Sequence, residues 1–184
     1  MNNLPPRKKA EQLLDEYIEN ENLKSHCRLV AEAMAAYADK LSQDQELWYQ
    51  AGLLHDLDWE KYPDEHPLKA VEEILVDYPQ ELRQAIKTHA PHITNQQPET
   101  KLEKYLFACD ELSGFLVAYA LMRPNGFKGM KPSKVKKKLK DSSFAANISR
   151  DDIKMGFELI EETADDHILF LIKIFKNSKN ISIK

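Results

Sequence analysis

Apolar residues in this chain recur in steps of three and four, and nowhere do they alternate in twos over a useful length. That periodicity builds helices and leaves no material for a sheet. Residues 7–20 place Leu13, Leu14, Tyr17 and Ile18 on one face, and residues 23–40 do the same with His26, Val30, Ala33, Met34 and Tyr37. Residues 44–57, ending in WYQAGLLHDL, are apolar nearly all round, which predicts a central helix. Pro67 suits the first turn of a helix bearing Ala70, Val71, Ile74 and Leu75. Pro79 opens another, with Leu82, Ile86 and His89 on one stripe. Residues 100–122 read as one long helix, and residues 151–175 as a closing helix with Asp151 as its N-cap. Residues 90–99 and 123–133 read as loops, and 177–184 as a frayed tail. The expected fold is all-α, a compact bundle of about seven or eight helices.

A chain of 184 residues is expected to form one domain. The apolar run of the last helix, Ile168 to Ile172, is too short to span a bilayer, and MNNLPPRKKAEQ has no apolar signal-peptide region. A cytoplasmic protein is the expectation. Cys27 and Cys109 are too few for a disulfide framework or a thiolate zinc site. The five glycines form no GxGxxG, GxxxxGK[ST] or GxSxG pattern, so dinucleotide, P-loop and nucleophile-elbow chemistry lack their usual cradles.

Five segments aim a metal-ligating side chain at the core: His26, His55-Asp56, His66, His89 and Asp110. A carboxylate buried alone costs several kcal/mol, and an unpaired imidazole is also unfavourable. One such residue would be an ordinary hydrogen-bonded core group. Several together point to a shared partner, and a metal ion is the economical one. Imidazole and carboxylate without thiolate suit Fe, Mn, Zn or Co, with Mg a further option.

The order His, His-Asp, His, His, Asp, with HD closing an apolar AGLLHD helix, resembles the HD-domain superfamily of metal-dependent phosphohydrolases. HCRLVAEAM, AGLLHDLD, DEHPLKAVEEIL, AIKTHA and LFACDEL carry the resemblance across residues 22–122. It is similar to the branch that holds two metals, and to small stand-alone bacterial HD hydrolases. The VKKKLKDSSFAA segment extends the likeness toward residue 150. The resemblance implies an HD-type helical domain with 22–122 as its core and residues 123–140 and 151–175 packed on it. It implies that His26, His55, Asp56 and Asp110 bind a first metal, and that Asp56 bridges to a second held by His66 and His89. It further implies that a hydroxide between the metals attacks phosphorus in a nucleotide-type phosphomonoester or phosphodiester. The same ligand set is similar to that of the superfamily's di-iron oxygenases. A non-catalytic binding or signalling module with a structural metal is the other alternative.

Many HD enzymes carry a Lys soon after HD, where this chain has Trp59. His92 follows Pro91, which takes it off the preceding helix. Asp58 and Glu111 each read as a carboxylate that orients a ligand, as a general acid for the leaving group, or as a solvent-facing or helix-pairing acid, with Glu111 leaning to the last. Cys27, Cys109 and His167 read as core packing.

The net charge of −4 conceals a segregation: Arg123 to Lys140 holds eight basic residues and no acid. Charge runs usually form solvated faces. The functional reading is phosphate recognition, with Arg123 as the guanidinium that grips phosphate and Lys136 within the same strip. Lys69, three past His66, is a further candidate for the substrate phosphate. Sparse aromatics and the acidic remainder argue against nucleic acid. The expected partner is a phosphorylated small molecule.

Overall fold

The structure, a computed structural model, describes residues 4–181. Among them are nine α-helices, one π-helical turn and no strand. The helices are α1 (Arg7–Tyr17), α2 (Glu21–Lys40), α3 (Gln45–Leu54), α4 (Gln80–Thr88), α5 (Pro91–Thr94), α6 (Lys101–Leu121), α7 (Pro132–Leu139), α8 (Arg150–Leu159) and α9 (Ala164–Phe175); the π-helical turn is Ala70–Ile74. No helix of the described residues is long and apolar enough to cross a membrane.

Helix α2 starts at the Asn20 cap and α3 at the Asp44 cap, each side chain accepting two backbone amides. The two pack closely at Gly52, where a Cβ would lie 2.8 Å from the Ala31 Cα. Only a glycine lets the backbones approach so far. Helix α6 is buried along most of its length and touches α2, α4, α8 and α9. Helix α1 covers α3, and α7 packs on α9.

Several expectations change, among them the loop expected at 90–99, which carries α5 (Pro91–Thr94). The closing helix is two helices, α8 and α9, because Thr163 accepts the Asp166 amide and starts a new one. The N-cap of α8 is Ser149 rather than Asp151, which lies in the first turn, where its charge suits the helix dipole. The helix expected after Pro67 is a π-helical turn from Ala70, whose amide is diverted to Asp58 Oδ2 at 2.7 Å. The bundle therefore has more and shorter elements than the sequence suggests. Nor is residue 180 frayed: Asn180 accepts from Ser25 Oγ and donates to Glu32 at 2.8 Å. Residues 182–184 of the expected tail lie outside the described residues.

His167 is a core residue with a defined tautomer. Its Nε2–H donates to the Ala108 carbonyl at 3.0 Å, and its bare Nδ1 accepts from the Tyr37 hydroxyl at 2.6 Å. Burial pushes the imidazole down to about 4. Above the unfolded value of 6.5 both states are neutral. Between pH 6.5 and 4 only the unfolded chain takes up the proton, so stability falls as pH falls. This loss is on the order of 3 kcal/mol. His167→Gln, which can keep one donor and one acceptor, is expected to flatten that part of the stability profile in urea titrations. Equal pH slopes in the two proteins would refute this.

Candidate metal centre

The six proposed ligands converge from α2 (His26), the turn after α3 (His55, Asp56), the turn before Ala70 (His66), the end of α4 (His89) and α6 (Asp110). They form two groups that share Asp56: His26, His55, Asp56 and Asp110 on one side, and Asp56, His66 and His89 on the other. In the first group, Asp110 Oδ1 lies 3.0 Å from His26 Nε2 and 3.3 Å from His55 Nε2. In the second, His66 Nε2 and His89 Nε2 are 3.2 Å apart. Asp56 reaches both. Its Oδ2 is 3.4 Å from His55 Nε2, and its Oδ1 is 3.6 Å and 3.5 Å from the Nε2 atoms of His66 and His89.

Three of the imidazoles have their other nitrogen committed. His55 Nδ1–H donates to the Gly52 carbonyl, His89 Nδ1–H to the Ile86 carbonyl, and His66 Nδ1–H to Asp58 Oδ1 at 2.6 Å. These acceptors carry no proton of their own, so each neutral ring keeps its proton on Nδ1 and presents a bare Nε2. Bare nitrogens of His66 and His89 then face each other at 3.2 Å, beside a carboxylate and nearly out of water. Lone pairs so placed need a cation between them. The donor set of imidazole nitrogens and carboxylate oxygens fits a divalent transition metal.

The electrostatics agree. Burial opposes ionisation of Asp56, yet His55 and His89 hold it well below the usual carboxylate range. Burial also opposes a charged His55, and the Asp56 and Asp110 carboxylates outweigh it, raising that imidazole well above its ordinary range. Asp110 is held low against burial by His55 and His26. The cluster attracts positive charge, as protons or as a metal ion.

Asp58 is not aimed into the cavity. It is fully buried, with Oδ1 on His66 and Oδ2 on the Ala70 amide. The general-acid reading falls, since neither oxygen can reach a substrate. The orienting reading fits the geometry: Asp58 fixes the tautomer and direction of His66. Asp58→Ala is expected to weaken retention of the ion at His66 and His89 about 10–100-fold, read by metal titration. An unchanged affinity would remove Asp58 from the centre.

The three cations assigned to substrate phosphate are elsewhere. Arg123 donates to the Gly126 and Lys128 carbonyls, closing the turn after α6. Lys69 pairs with Glu73 at 2.8 Å, and Lys136 with Asp165 at 2.9 Å. None lines the cavity over the His/Asp cluster, so the phosphate-gripping role of all three is withdrawn. Cys27 and Cys109 are buried, with burial pushing the Cys27 thiol up to about 12, which suits packing rather than ligation.

That cavity holds about 980 Å³. Trp59 lies at its edge, its ring set edge-on to His66 at 5.0 Å between centroids. His92, at the second position of α5, also lines it but belongs to neither ligand group. Glu111 lines the cavity and is not simply solvent-facing: its carboxylate accepts the Ser149 amide at 3.3 Å, and burial followed by Asp110 raises it to about 8. The wall formed by Asn147, Ile148, Ser149, Asp151 and Asp152 has no sequence signal beyond the helix-start pattern that misplaced the cap at Asp151.

An all-helical bundle with a buried, double His/Asp cluster lining a cavity has the architecture of an HD-type domain, with side chains placed where they could hold a metal ion. The HD domain family model matches residues 23–114, half of the chain and the whole of the cluster-bearing segment from His26 to Asp110, and the chain belongs to that family. Comparison with curated proteins and with solved structures gave no match.

Proposed function

We propose that the chain is a metal-dependent phosphohydrolase acting on a small phosphate monoester or diester. The observation that carries this reading is Asp56, with one oxygen turned to each half of the cluster. His26, His55, Asp56 and Asp110 would hold one ion, and Asp56, His66 and His89 the other. When bound, such ions supply an acidified water at neutral pH and positive charge for phosphoryl oxygens. The chain's own groups prepare the place. Gly52, Ile86 and Asp58 hold protons on the outer nitrogens of three rings, so that their inner nitrogens stay basic. The cavity admits a small ester and brings it against the cluster. Hydrolysis then adds water across the P–O ester bond, the oxygen going to phosphorus and a proton to the departing alcohol.

The test is a screen of phosphate esters with Mn, Fe, Zn, Co or Mg added to metal-stripped protein, run with and without O₂. Release of phosphate or alcohol that needs metal and persists without O₂ is the expected result. Turnover only with O₂ would replace this reading by a di-iron oxygenase. No metal binding by the purified chain would overturn both.

A further inference from the structure

The cavity over the cluster continues outward along α6. Asp110 stands at the inner end, and Gly114, Val117, Ala118 and Leu121 follow at helical spacing, all lining the cavity. None of these four has a polar side-chain atom. At about 1.5 Å per residue, the stripe runs about 16 Å from Asp110 to Leu121. Helix α2 is antiparallel to α6: Tyr37 meets Tyr105 at 4.7 Å between ring centroids, while His26 meets Asp110 at 3.0 Å. The first turn of α2 therefore flanks the outward part of the stripe, and Leu23 lines the cavity there. Ile148 stands on another side, its Cδ1 3.5 Å from where a Gly114 Cβ would lie.

The walls stay apolar where they meet water. Leu121 is 58 % exposed, Trp59 47 % and Ile93 43 %, and all three line this one cavity. Trp59 is also tied to the cluster, its ring edge-on to His66 at 5.0 Å. Large apolar side chains held open to water around a cavity mark a place where an apolar ligand gains by burial. The polar groups point the same way. Asn20 caps α2, Ser25 donates to the Asn180 carbonyl and Ser149 caps α8, so these three lining side chains are engaged by the chain itself. Among the described residues no Lys or Arg lines the cavity, and a second phosphate on a substrate would find neither to receive it.

We propose that the substrate is a monophosphate ester of an extended apolar alcohol, its phosphate at the His/Asp cluster and its hydrocarbon chain lying along α6 from Asp110 toward Leu121. The proposal rests on the phosphohydrolase reading for the placement of the phosphate. The small side chains of Gly114 and Ala118 leave room for the chain, Leu23, Val117 and Ile148 flank it, and Leu121 covers its far end. Water adds across the P–O ester bond, its oxygen going to phosphorus and a proton to the departing alcohol, which leaves along the same stripe.

The experiment uses the Mn-loaded full chain and two homologous series from ethyl to decyl, n-alkyl phosphates for turnover and non-hydrolysable n-alkyl phosphonates for binding, all below their micellar concentrations. A nucleoside monophosphate and a nucleoside diphosphate are run beside them. Phosphonate affinity by calorimetry, and kcat/KM for the phosphates, are expected to rise about two- to fourfold per added methylene. The rise is expected to flatten at its long-chain end in Leu121→Asp, an exposed position whose folding is checked by melting temperature, and from a shorter chain onward in Ala118→Phe, which fills the stripe midway. Affinity independent of chain length overturns the proposal, as does tighter binding of either nucleotide than of the decyl phosphonate. A chain-length rise left intact in both folded variants also overturns it. If the phosphonate series rises and no phosphate ester is hydrolysed, the apolar subsite stands and the hydrolase reading fails; if esters are hydrolysed without regard to chain length, the hydrolase reading stands and this proposal fails.

Discussion

Asp56→Ala is expected to lower the metal content from about two ions per chain to about one or fewer, and to reduce metal-dependent ester hydrolysis on the order of 10³-fold or more. The reason is the position of its two oxygens, 3.4 Å from His55 on one side and 3.5 Å from His89 on the other. Without that carboxylate, two dications would face each other across neutral imidazoles, with Asp110 the remaining anion of the two groups. Asp56→Asn keeps the shape and removes the charge, so it separates the two contributions. Asp56 lies in a turn after α3, and circular dichroism is expected to show little loss of helix in either variant. Wild-type metal content by elemental analysis, with wild-type turnover, would dismiss the bridging role.

Gly52→Ala is the second large effect. The added Cβ would stand 2.8 Å from Ala31 Cα, 2.9 Å from Ala31 N and 2.9 Å from the Val30 carbonyl carbon. These are backbone atoms of α2, so no side-chain rotation relieves the overlap. Helices α2 and α3 must part by roughly 1 Å to restore ordinary contact. A cost of about 1–3 kcal/mol or more is expected, read as a fall in melting temperature. The same shift moves His26 on α2 away from His55, whose Nε2 lies 3.3 Å away and whose Nδ1–H is held by the Gly52 carbonyl. Metal affinity at the first group should therefore fall with stability. Gly114→Ala is the matched control, because its Cβ would meet only Ile148 Cδ1 at an ordinary 3.5 Å. Similar melting temperatures and metal affinity for wild type and Gly52→Ala would refute the argument.

The helical class was legible because apolar spacing is a local property, carried by each segment alone. The cluster was legible for a related reason: His26, His89 and Asp110 interrupt apolar stripes at helical spacing, where a polar group needs a partner. The division of the 151–175 helix was written in Thr163 and Asp166, three residues apart, a cap pattern that the continuous apolar stripe overrode. The fate of the cations was only partly legible. Arg123, Lys69 and Lys136 spend their charge on Gly126, Glu73 and Asp165, and Asp165 lies 29 residues from its lysine. The Lys69–Glu73 pair is an i,i+4 contact that helical spacing offers, whereas the Lys136–Asp165 pair depends on tertiary placement, about which the helical period says nothing. The α8 wall was hidden likewise, since Glu111 and Ser149 meet across 38 residues of chain.

The two halves of the cluster close over very different lengths of chain. His66 and His89 are 23 residues apart, whereas His26 and Asp110 are separated by 84. Loop-closure entropy makes the longer span costlier by roughly 1 kcal/mol before any contact rewards it. The His66 half can be assembled by one short stretch of the polypeptide, while the His26 half exists only once α2 and α6 have met. The two ligand groups that share Asp56 thus differ in contact range, one local and one global.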